Sequence, residues 1–209
     1  MLVEGTSNAG PFRTTTGVVG VVLAAGRGAR FAAADPSAPP KMLAPIDGVP
    51  MVRRVVATLI AGGVDRCVVV VSTGGASAIG MALEGLPAEL VVNPNPSRGM
   101  FSSVQCGLRA TGEHELCVLL PGDMPFVQPL TVTLLIANAR DTGRTVAPTL
   151  DGHAGHPVAL SPETRAAILL APGDSRLDQE LARRTVMMVP VVDFGVRRDV
   201  DQPDSPPYT

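Results

Sequence analysis

The sequence predicts an α/β fold in three layers, α/β/α, with a mostly parallel sheet between two sets of helices. Two observations carry that prediction. Short aliphatic runs recur along the chain and are apolar at successive positions, as strands buried on both faces require. Segments of helical length separate them, and such alternation leads to parallel pairing through right-handed crossovers.

The elements follow in order. Val18–Leu23 is a continuous aliphatic run and reads as the first strand. The proline-rich residues 35–40 read as a loop within one domain. Met51–Ala61 and residues 76–83 have helical length and flank a second strand at 67–71. A shorter strand at 90–92 leads to a helix at 102–110, and a strand at 116–120 leads to a helix at 129–140. Residues 145–148 form a weaker strand. The turn residues Asp151-Gly152 and Gly155 make 149–160 a hairpin candidate. Helices at Pro162–Leu170 and 176–184 and a last strand at 186–192 complete the pattern, with no internal repeat.

Composition narrows the function classes. The 209 residues suit a single domain, read as 17–204, with tails at 1–16 and 205–209. Without Trp, with one Tyr and five Phe, the core must be aliphatic. A net charge of −2 offers no basic field for nucleic acid. Cys67, Cys106 and Cys117 are scattered, which argues against disulfides and zinc and favours a reducing, cytoplasmic setting. No apolar run reaches membrane-spanning length, and residues 1–16 lack the pattern of a secretion signal.

The first strand runs into Leu23-Ala24-Ala25-Gly26-Arg27-Gly28-Ala29-Arg30-Phe31. Small residues allow close backbone approach to a ligand, and consecutive amides can cradle an anion. Arg27, Arg30 and Lys41 add positive charge. A loop at the carboxyl end of a strand lies where α/β sheets bind ligands. The same residues could also form a plain turn with solvated arginines. The P-loop pattern is absent, and the dinucleotide fingerprint would need glycine where Phe31 stands.

Two acidic segments lie elsewhere. The strand at 116–120 leads into Pro121-Gly122-Asp123-Met124-Pro125. Asp123 just past a buried strand can reach the crevice and suits a hard cation, although an Asp in a turn is common without one. Asp199-Val200-Asp201 offers a second ligand in either Asp201 or Asp199, which strand alternation could part, or is a solvated tail. Asn93-Pro94-Asn95-Pro96-Ser97-Arg98-Gly99-Met100-Phe101-Ser102-Ser103 precedes a helix that Ser102 or Ser103 would cap.

Leu23 to Phe31, Lys41-Met42-Leu43 and Gly48-x-Pro50 together resemble the MobA-like nucleotidyltransferases of molybdenum cofactor biosynthesis. The resemblance covers about residues 18–204 and implies a Rossmann-like fold of the nucleotide-diphospho-sugar transferase type. It implies Mg²⁺ on Asp123 and Asp201, with Arg30, Lys41 and Asp123 as the catalytic residues. The implied nucleotide contacts are Leu23, Ala24, Ala25, Gly26, Arg27, Gly28, Arg30, Lys41, Asn93 and Gly122. The implied acceptor contacts are Gly99, Met100, Ser102, Ser103 and, through Gly155-His156-Pro157-Val158, His156. Gly173-Asp174-Ser175-Arg176 resembles a further acceptor-side turn. Gln202 departs from the family's Thr at the end of the acidic segment.

The reaction so implied is in-line attack by an acceptor phosphate on the α-phosphorus of an NTP, releasing pyrophosphate. The resemblance favours CTP, through Leu-Ala-Ala-Gly where guanylyl members usually have Leu-Ala-Gly-Gly. It names a phosphorylated pterin, molybdopterin or its molybdenum form, as acceptor, with a molybdoenzyme or its chaperone as recipient. A guanylyltransferase, another NTP:phosphate transferase, an NAD(P)H-dependent oxidoreductase and a non-catalytic cofactor-binding module stay as alternatives.

Overall fold

The computed structural model describes residues 17–26, 28–112 and 115–202. Arg27, the tails 1–16 and 205–209, and the end of the acidic segment at 203–204 lie outside the described residues.

The first strand, β1 (Val18–Leu23), is central to an eight-stranded sheet. On one side it pairs in parallel with β4 (Arg66–Val71), which pairs in parallel with β5 (Ala88–Val92). On the other it pairs in parallel with β6 (Leu116–Pro121). Beyond β6 lie β9 (Val158–Leu160), β7 (Thr145–Leu150) and β10 (Val186–Pro190), and only β9 in this path runs against its neighbours. β2 (Pro45–Ile46) and β3 (Val49–Pro50) form a separate short ribbon.

Helices cover both faces, which explains the unbroken aliphatic runs. Val18 and Val22 of β1 pack in one cluster with α2 (Met51–Ala61) and α5 (Pro129–Thr142), through Val55, Leu59, Val132 and Leu135. Val19, Val21 and Leu23 pack in the other with α4 (Met100–Arg109) and α6 (Pro162–Leu170), through Phe101, Val104, Leu108 and Ile168. The split follows the two-residue period of a strand. Each such burial stabilises by about 1.5–3 kcal/mol. At Gly107 a Cβ would come within 2.5 Å of Val21, so α4 rests on β1 only because that residue lacks a side chain. α3 (Ala76–Ala82) and α7 (Leu177–Ala182) complete the set.

Four details differ from expectation. The glycine loop turns directly into a helix, α1 (Ala29–Ala34), entered through left-handed Gly28 at φ 57°. Phe31, 1% exposed, anchors it against Ala44, Met51 and Val200. Residues 149–160 are not one hairpin. β7 turns through Asp151-Gly152, both at positive φ, into β8 (His153–Ala154), and β9 then inserts between β6 and β7. α4 begins at Met100, so neither Ser102 nor Ser103 caps it, and Gly99 at φ 93° takes the cap position. The last strand ends at Pro190, short of 192.

Candidate active site

From β1 the chain goes outward through β4 and β5, then returns to β6 on β1's other side. The crevice beyond the carboxyl ends of β1 and β6 is therefore the switch point where open α/β sheets bind ligands.

The loop after β1 lines that crevice with backbone. Leu23, Ala24 and Ala25 are buried, and the Ala24 amide donates to Val70 O at 2.8 Å. Their side chains fill the core. Gly26 has open space where a Cβ would stand. Gly122, expected at the nucleotide, also joins the two loops: its amide donates to Leu23 O at 2.9 Å, and a Cβ there would lie 2.8 Å from that oxygen. Its absent side chain lets the β1 and β6 loops touch.

Lys41 enters from a 3-10 turn, Lys41–Leu43. Its Nζ donates to Asp123 Oδ2 at 2.8 Å and to Asp201 Oδ1 at 3.2 Å. Arg30 on α1 donates to Asp201 Oδ2 at 2.9 Å. Asp123, Asp199 and Asp201 each offer a carboxylate oxygen, all within 4.8 Å of one another. The feared alternation does not arise, because 198–201 is not a strand. The Val200 amide donates to Asp123 O at 2.9 Å and ties the two acidic segments together.

Burial and pairing oppose one another in the electrostatics. The Lys41 side chain is only 10% exposed, against 84% for Arg30. Burial pulls the Lys41 pKa down, but the hydrogen bonds and charge of Asp123 and Asp201 outweigh it, so the ammonium is held above its ordinary value. The Lys41 hydrogen bond in turn holds the Asp201 carboxyl below its usual range. Three convergent carboxylates are the donor set of a hard divalent cation, and they fit Mg²⁺.

Asn93, expected at the nucleotide, is 3% exposed. Its Nδ2 donates to Ser102 Oγ at 2.9 Å and Ser103 Oγ at 3.0 Å, and its Oδ1 accepts from the Asn95 amide. It braces the 93–103 turn, with Ser103 buried and Ser102 half-buried beside it.

Gly99, Met100 and His156 gather elsewhere, on a cavity of about 800 Å³. A smaller one of about 340 Å³ contains Asp123 and Asp199. Met100, Ala154, Gly155 and His156 line both. His156 thus stands at the junction, and its buried Nδ1 has no hydrogen-bond partner among the described residues. Burial outweighs the nearby Asp123 charge and lowers its pKa to about 4, so the imidazole is neutral at pH 7.

Sequence reading missed Asp193, 2% exposed. It accepts from the Gln128 amide at 2.9 Å, Thr131 Oγ1 at 2.7 Å and the Gly195 amide at 2.9 Å. It pins the segment that delivers Asp199 and Asp201. The signal available was Asp193-Phe194-Gly195, an Asx-turn pattern.

A family model described as "MobA-like NTP transferase domain" matches residues 20–188. A curated relative from Natronomonas pharaonis, "Probable molybdenum cofactor guanylyltransferase", is 32% identical over 120 residues, which is 57% of this chain and 56% of that protein's length. Among solved structures, Rv0371c from Mycobacterium tuberculosis H37Rv has a TM-score of 0.75 at 26% identity, covering 90% of this chain and 95% of that one. Its manganese complex has a TM-score of 0.67 at 25% identity, covering 85% and 89%. Among the described residues, no helix is long and apolar enough to cross a membrane. With the glycine loop, the paired Lys41 and the converging carboxylates at the switch point of such a sheet, the chain belongs to the MobA-like NTP transferase domain family.

Proposed function

We infer that this protein is a Mg²⁺-dependent nucleotidyltransferase that moves CMP from CTP to the phosphate of a molybdopterin-type acceptor and releases pyrophosphate. The observation that carries the reading is the meeting of Lys41, Asp123, Asp199 and Asp201. Asp123 and Asp199 line the smaller cavity, which shares Met100, Ala154, Gly155 and His156 with the larger one. The Natronomonas pharaonis relative, named for molybdenum cofactor, and the manganese complex of Rv0371c support the acceptor class and a divalent cation.

The backbone of residues 23–26 holds the triphosphate, and Arg30 and Lys41 neutralise it as charge builds on the departing pyrophosphate. A cation on Asp123 and Asp201 would supply Lewis-acid charge to the α-phosphate. The nucleophile is an acceptor phosphate oxygen, already anionic, so no general base is needed. A neutral His156 agrees with that and serves as a hydrogen-bonding contact to the acceptor. Catalysis is then positioning and charge neutralisation.

CTP is chosen on Leu23-Ala24-Ala25-Gly26, while the relative named as a guanylyltransferase favours GTP as the second reading. The protein is incubated with Mg²⁺, molybdopterin and labelled CTP or GTP, and pyrophosphate is measured. Release with CTP is expected. Release with GTP alone would reverse the nucleotide, and none with either would remove the function.

A further inference from the structure

The larger cavity has apolar walls from Phe101, Leu177 and Val186, and five charged side chains line it: Arg98, Asp174, Arg176, Asp178 and Arg184. Two of the three arginines are already committed. Arg176 is bound to Asp178 through both Nε and Nη2, at 3.0 and 2.9 Å. Arg184 pairs with buried Glu180 at 3.0 Å. Arg98 is different: no hydrogen bond or ion pair joins its guanidinium to another described residue. It lies instead against Gly173, where Nη2 takes the place a Cβ would occupy. Gly173 is not at a positive φ, so the backbone conformation does not demand glycine there. Arg98 is exposed, and a Cβ at Gly173 would meet only the movable end of its side chain and push it aside.

We propose that Arg98, seated on Gly173, is the acceptor-recognition residue of this site, reading an anionic or carbonyl oxygen edge at the end of the acceptor remote from its phosphate. This rests on the transferase reading above. The cavities share Met100, Gly155 and His156, so one molecule can place its phosphate by Asp123 and extend its body toward Arg98. A volume of about 800 Å³ admits a fused-ring body. A planar guanidinium fork suits a paired oxygen or oxygen–nitrogen edge, which an ammonium does not match. The acceptor class is therefore a phosphomonoester with a flat body and a second polar edge, and simple phosphomonoesters are poor acceptors.

The test compares wild type with Arg98→Gln, Arg98→Lys, Gly173→Ala and the double variant Arg98→Gln/Gly173→Ala. Molybdopterin binding, CTP binding and Tm are measured with pyrophosphate release. Arg98→Gln should raise the molybdopterin Kd and KM about 10- to 100-fold, with CTP affinity and Tm unchanged. Arg98→Lys should recover part of the loss. Gly173→Ala should displace the guanidinium and act in the same direction, adding little in the double variant. Molybdopterin affinity unaltered in Arg98→Gln, or equal losses for CTP and molybdopterin, would overturn the proposal and leave the transferase standing. Wild type that releases no pyrophosphate with molybdopterin would remove the transferase reading, and the proposal with it.

Discussion

Replacing Lys41 with Met should lower turnover and yet tighten divalent-cation binding. The ammonium sits 2.8 Å from Asp123 and 3.2 Å from Asp201, two of the three carboxylates that fit a metal. Any cation arriving there must displace it. At an effective dielectric of about 20, a unit charge about 3 Å from a carboxylate is attracted by roughly 5 kcal/mol, most of it offset by desolvation. A residual competition of about 1–2 kcal/mol makes Mn²⁺ bind roughly 5- to 30-fold more tightly to Lys41→Met, read by paramagnetic resonance or calorimetric titration. The site is half-buried, with side-chain exposures of 10% for Lys41, 27% for Asp123 and 46% for Asp201. The loss in stability should therefore fall between surface and buried pairs, about 2 kcal/mol, seen in urea unfolding. Turnover should drop about 100-fold or more, because charge on the leaving pyrophosphate goes unmatched. Mn²⁺ binding that is unchanged or weaker in Lys41→Met would refute the reasoning, since Lys41 would then not share ligands with the metal.

Other outcomes follow from the same geometry. Asp123→Asn should weaken Mn²⁺ binding and cut turnover about 100-fold or more, with the fold kept. Asp193→Ala should cost about 2–3 kcal/mol in urea unfolding, because three donors lose their acceptor. It should also weaken Mn²⁺ binding by loosening the 194–201 segment, and Mn²⁺ affinity equal to wild type would show that Asp193 does not position the carboxylates. His156, with its pKa lowered to about 4 by burial, binds its proton more readily in the unfolded chain. Stability should therefore fall as pH drops from about 6.5 toward 4, by at most about 1.4 kcal/mol per pH unit. Comparing Tm against pH for wild type and His156→Gln isolates that slope, and parallel curves would contradict it.

Much of the architecture was legible because it rests on local pattern. The runs Val18–Leu23 and 117–120 are buried on both faces, as short continuous aliphatic stretches between turns signal. Met51–Ala61 and Pro162–Leu170 have the bounds expected of them. Element ends were less legible. Ser102 and Ser103 look like caps, but hydrogen bonds from Asn93, nine and ten positions away, hold both and α4 starts earlier. β9 could not be placed among parallel strands from its residues, since strand order depends on partners far away in sequence.

The site divides in the same way. The sequence by itself determined which chemistry is present: a glycine loop after a buried strand, a lysine behind it and two acidic segments downstream. Those are matters of residue type and short spacing. Only the tertiary structure decided which of them meet. It brought Asp199 together with Asp123 and Asp201, gave Lys41 to those carboxylates, and tied Asn93 and Gly122 to neighbouring segments. It also left Arg98 facing the large cavity on a glycine from a distant turn. The physical reason is range: helix and strand periodicity is set over a few residues, whereas hydrogen bonds and ion pairs across 82, 160 or 171 positions exist only once the sheet has closed.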